Sequence, residues 1–93
     1  MWDIAIMRSY KSDIQKVRKG VKRLLAKVER DYGIKGSWPD PDNFVADKGG
    51  HVEEGALKIS SKKVALNIRF DFLGKLAKSK IQKGIEDELD KIL

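Results

Sequence analysis

Apolar side chains recur along the chain with two different periods, and each marks a different kind of element. Ile14, Val17, Val21, Leu24, Val28 and Tyr32 follow one another at spacings of three and four, with Leu25 widening the stripe. That is the period of an amphipathic helix. Ser12 followed by Gln15 reads as a capping box, and Gly33 sits where a left-handed residue would end the helix. The pattern predicts a helix over 13–32, roughly 30 Å long at 1.5 Å per residue. Further on, Val64, Leu66, Ile68, Phe70 and Phe72 alternate with Lys63, Ala65, Asn67, Arg69 and Asp71. Strict alternation predicts a strand with one apolar and one wet face, in an antiparallel sheet covered on a single side.

Weaker signals fill in the rest. Trp2, Ile4 and Ile6 alternate with Asp3, Ala5 and Met7, which suggests an edge strand. Residues 37–43 carry Pro39, Pro41, Asp40, Asp42 and Asn43, which is turn chemistry. Phe44–Ala46 reads as a short strand, and 56–60 with 63–72 as a hairpin. Leu76, Ala77, Ile81, Ile85, Leu89 and Ile92 form the stripe of a second helix over 75–92. The expected architecture is α+β: an antiparallel sheet of four to five strands with two amphipathic helices packed on one face, order β-α-β-β-β-α. An additional short strand is compatible with it. Gly20 and Gly84 fall inside the helices, where glycine costs about 1 kcal/mol relative to Ala; either close approach of the helices, or of a helix to the sheet, explains them, or they are tolerated drift.

Charge is laid out in blocks. Residues 1–35 carry a net +6 and 36–54 a net −4; 55–85 return to +7 and 86–93 fall to −3. The second helix places Lys75, Lys78, Lys80 and Lys83 at its start and Glu86, Asp87, Glu88 and Asp90 at its end, against the preference of the helix dipole. Either these charges are simply solvated and screened by salt, or the acidic end meets the basic face of the first helix, within one chain or across a homodimer.

The whole chain, 93 residues with a net charge of +6, has the length of a single domain. It has no cysteine, so disulfides and thiolate metal sites are excluded and a reducing compartment is expected. No stretch is apolar enough to span a membrane or act as a signal peptide. His51, the lone histidine, follows Gly49-Gly50 and reads as an exposed turn residue. No serine lies in a nucleophile elbow, and no phosphate-binding glycine loop is present. Asp40, Asp42, Asn43 and Asp47 are spaced partly like a calcium loop, but Val45 stands where its glycine must be. Glu53 and Glu54, adjacent on a strand, should point to opposite faces and so form no acid/base pair. The expectation is a non-enzymatic protein with no catalytic residue, cofactor or metal.

The order of motifs resembles a known family. Ile4, Ile6 and Arg8 open it; Asp31-Tyr32-Gly33-Ile34, Trp38 and Gly55-Ala56-Leu57-Lys58-Ile59 follow. Then come Val64-Ala65-Leu66-Asn67-Ile68, Phe72-Leu73-Gly74, Ile81, Ile85 and Leu89 to Leu93. In this order they resemble the polyhydroxyalkanoic acid system proteins, small bacterial proteins linked to polyester storage granules. The 39–54 connection departs from that pattern, being longer and more acidic. The resemblance implies a role in polyhydroxyalkanoate storage, granule-associated or regulatory, in the cytoplasm or at storage granules. The expected partner is the granule surface or a granule protein. Since helical stripes at this spacing belong in a core, a dedicated patch or partner protein is the expected link. The alternative is a nucleic-acid-binding protein. Its anionic-partner surface would comprise Arg18, Lys22, Arg23 and Arg30 on the first helix, extended by Lys58, Lys63 and Arg69 on the open sheet face.

Overall fold

The first helical stripe folds as expected and shows what the sheet must cover. In the computed structural model, which describes residues 2–93, α1 runs Ile14–Tyr32 and buries Val17, Val21, Leu24, Leu25 and Val28. Its cap lies one residue later than the sequence suggests. Asp13 takes the extended cap conformation and its carboxylate accepts from the Gln15 amide at 2.8 Å, leaving Ser12 outside. A carboxylate there also complements the positive helix end. Gly33, at φ 71°, ends the helix with its N–H on the Glu29 carbonyl.

The strands are β1 (Ile4–Ser9), β2 (Gly36–Asp40), β3 (Asn43–Ala46), β4 (Val52–Ile59) and β5 (Lys63–Phe70). They form one antiparallel sheet in the order β1-β5-β4-β3-β2. Ile6, Leu66, Leu57 and Phe44 line up in register across four strands on the covered face. Ile4, Ile59, Val64, Ile68 and Phe70 complete that face, and all are buried with the stripe of α1 in one core. β5 is the alternating strand read from the sequence, shorter by two residues.

Two stretches differ from the sequence reading. Residues 37–40 of the expected 37–43 turn belong instead to the extra short strand, β2; Pro39 is tolerated because β2 is an edge, where a missing N–H breaks no central ladder. The turn itself is tighter: the Asp40 carboxylate accepts from the Asp42 amide and the Asn43 side chain, both at 2.9 Å. β4 begins four residues before the expected hairpin arm and contains a register shift between Val52 and Glu54. That irregularity overturns the expectation that Glu53 and Glu54 face opposite ways. Both carboxylates meet the Arg69 guanidinium, at 3.3 and 3.2 Å.

The second helical region is broken in two. After Phe70 the strand ends, α2 makes a single turn over Phe72–Lys75, and α3 runs Lys78–Ile92. α3 buries Ile81, Ile85 and Leu89 beside α1. The two helices approach closely where glycine replaces a side chain. A Cβ on Gly20 would overlap the Ile92 side chain, and one on Gly84 the Tyr32 hydroxyl. The acidic end of α3 is held within the same chain. Lys27 of α1 meets Glu88 at 2.6 Å, and Arg8 of β1 meets Glu86 at 3.0 Å and Asp90 at 3.3 Å.

Candidate functional site: an outward apolar turn beside a cleft

α2 is attached to the body of the protein by its backbone rather than by its side chains. Asp71 caps it: one carboxylate oxygen accepts from the Gly74 amide at 2.8 Å, and the other lies 3.2 Å from His51 Nδ1. The Asp71 amide in turn donates to the His51 carbonyl at 2.8 Å. The Gly74 amide, and secondarily the His51 imidazole, hold the Asp71 carboxyl below the usual carboxylate range. The exposed turn residue His51 is therefore part of the clasp that seats α2. Gly74 is the one buried residue of the turn, and a Cβ there would come within 2.8 Å of the Cβ atoms of both His51 and Phe70. Because the glycine side presses against the body, the remaining side chains are turned outward.

The consequence is a cluster of large apolar groups in water. Phe72 is 77% exposed, Leu73 59% and Leu76 75%. The sequence reading placed Phe72 on the buried strand face and Leu76 and Ala77 in the buried helix stripe; all three are exposed. The strand stops at Phe70 because Asp71 takes up capping, and the helix restarts only after Ala77, so neither period continues through 72–77. Lys75 and Lys78 flank the cluster along the chain, and Lys80 and Lys83 follow on α3; all four are exposed and without an ion-pair partner among the described residues.

Behind α2 lies a cleft of about 580 Å³. Its apolar lining includes Ile34, Val52, Phe70 and Ile81, with Leu73 and Ala77 on the α2 side. Asp31, Tyr32, His51 and Lys80 stand among its polar groups.

The seven cations read as a possible surface for an anionic partner are divided between two sides of the sheet. Arg18, Lys22, Arg23 and Arg30 belong to α1, on the covered side of the sheet, whereas Lys58, Lys63 and Arg69 alternate with buried residues and face the open side. Arg18 is clamped by Asp42 at 2.7 and 3.0 Å, which pushes the Asp42 carboxyl down and the guanidinium up. Arg30 meets Asp31, and Arg69 meets the two glutamates. Lys22 lies 5.8 Å from the centre of the Trp38 ring, which itself packs edge-on against Phe44. Arg23, Lys58 and Lys63 enter no ion pair among the described residues. The described residues also bring together no group of three or more His, Asp or Glu able to hold a metal, and no described helix is long and apolar enough to cross a membrane.

Comparison with family models supplies the context for this geometry. Residues 4–93 match the model described as "Putative polyhydroxyalkanoic acid system protein". The chain belongs to that family. The matched range takes in the core, α2 and the cleft. Comparisons with curated proteins and with solved structures give no match. Family membership supports a role connected with polyhydroxyalkanoates.

Proposed function

We propose that this is a non-enzymatic protein of polyhydroxyalkanoate storage that attaches to the polyester surface through α2. The observation that carries this reading is the exposure of Phe72, Leu73 and Leu76 on a turn whose only buried residue is Gly74. The helix stripes are committed to the core, so adsorption through them would require unfolding. The α2 cluster requires none. Burying a large apolar side chain is worth about 1.5–3 kcal/mol, so even partial burial of three gives a useful, reversible attachment.

The lysines suit the same surface. A polyester of hydroxyalkanoic acids offers hydrocarbon and ester carbonyls, which accept hydrogen bonds and donate none. Lysine ammonium groups donate and do not accept. Apolar side chains flanked along the chain by the exposed Lys75 and Lys78 therefore complement it, in the manner of a helix lying at an interface.

Flotation with polyester particles tests the proposal. The native protein should rise with the particles. Phe72→Ser combined with Leu76→Ser should stay in the soluble fraction with an unchanged circular dichroism spectrum and thermal midpoint. Native protein left wholly in solution, or a double variant that floats as well as native, sinks the reading.

A further inference from the structure

The cleft beneath α2 meets the outward patch at Leu73 but leaves Phe72 and Leu76 outside, and its chemistry is that of a site for a small amphiphile. At about 580 Å³ it falls within the range of small-molecule sites. Ile34, Val52, Phe70 and Ile81 give it apolar walls from four separate parts of the fold. Gly33, Gly49 and Gly50 line it too, and each borders open space: a Cβ there would meet nothing within 4 Å.

The charged groups at the rim are not equivalent. Asp31 is engaged by Arg30 at 3.1 Å, and His51 by Asp71 at 3.2 Å. Lys80 alone of the rim's charged side chains has no ion-pair partner among the described residues. An occupant should therefore combine a hydrocarbon chain with an anionic end able to meet that ammonium. A hydroxyl would find the Tyr32 phenol among the polar groups around the same cleft.

We propose that this cleft binds the carboxylate end of a medium-length hydroxyalkanoic acid, chain against the apolar walls and carboxylate toward Lys80. The choice of ligand rests on the polyester reading above; the cleft shares Leu73 with the surface that reading uses, while Phe72 and Leu76 do not line it. Attachment by α2 would bring a chain end within reach of the cleft, so that the protein holds a polymer terminus or a released monomer.

The test uses soluble 3-hydroxyoctanoate below its micelle concentration and the full chain, followed by 1H–15N NMR titration. Saturable shifts are expected at Gly33, Gly49 to Val52, Gly74 and Ala77. Ala77→Trp or Gly49→Trp, which place a ring in the cleft or its mouth, should abolish them; Lys80→Glu should weaken affinity at least five-fold. Phe72→Ser with Leu76→Ser should bind the acid as the native protein does, since neither residue lines the cleft. No saturable shift up to millimolar acid overturns the site. Shifts confined to α2 that survive both tryptophan variants do the same, and equal affinity for octanoate overturns the assignment to hydroxyalkanoates. Flotation reads attachment separately, so a protein that floats without binding the acid loses only this inference.

Discussion

Gly20 and Gly84 show how single positions set the distance between the two long helices. Gly20 faces Ile92, near the far end of α3, and Gly84 faces the Tyr32 hydroxyl at the end of α1. Alanine at position 20 should raise helix propensity by about 1 kcal/mol, yet its methyl overlaps Ile92 and parting packed helices costs about 1–3 kcal/mol. Gly20→Ala should therefore lower the urea midpoint in the native background and raise it when Ile92 is also alanine. Equal effects in both backgrounds would show that the two residues do not touch. Their place in mid-helix pointed to a close approach of helix to helix or helix to sheet without separating either from tolerated drift; the overlaps with Ile92 and Tyr32 decide it for the helices. The fate of Phe72 was not. It sits at the correct spacing to continue β5, and only the carboxylate of Asp71, reaching the Gly74 amide, decides that the strand has ended. An Asp three residues before a Gly is a readable cap, but here a longer alternating run masks it.

α2 and α3 pose the question of what a helix end can tolerate. α3 starts with lysines and ends with acids, against its own dipole, and its Ala77 cap makes no side-chain bond to the first turn. The acidic end is stabilised from outside by Lys27 and Arg8. Exchanging Lys27→Glu with Glu88→Lys should give a thermal midpoint above that of either single reversal, because each single one sets like charges together. α2 depends instead on Asp71. Replacing Asp71 with Ala should speed amide exchange at Gly74 and Lys75, where the cap accepts one N–H and the first helical bond another. It should also weaken flotation without unfolding the sheet. Both long helices and β5 were evident from periodicity alone. The 76–77 break was hidden because Leu76 and Ala77 fall in step with the buried stripe that follows. β2 was hidden because proline and aspartate signal turns wherever they stand, and a protected edge is one of the few places a strand accepts them.

At the scale of the whole molecule, one core and a small set of polar clamps account for stability. Leu57, 1% exposed, sits in the central strand row, and Leu57→Ala should cost about 2–5 kcal/mol in urea unfolding. A loss below 1 kcal/mol would mean that the row is not packed. The clamps predict the acid response. Asn43 lowers the Asp40 carboxyl, Arg18 that of Asp42, the Gly74 amide that of Asp71, and Lys27 that of Glu88. Groups depressed in the folded state contribute stability that is complete above their unfolded pKa and is lost as pH falls through the folded value. The thermal midpoint should thus hold steady down to about pH 5 and fall below about pH 4, where ordinary carboxylates begin to protonate. Asp42→Asn should make that decline shallower, and a decline of unchanged steepness would remove Arg18–Asp42 from the account.

The way α2 is fastened has a practical consequence. A foot joined to its leg through a glycine hinge-plate and one aspartate pin leaves its toes free to be exchanged. Positions 72, 73, 75 and 76 are exposed, so if α2 is the point of attachment, a cassette of four substitutions there would retune which material the molecule stands on while the core keeps its sequence.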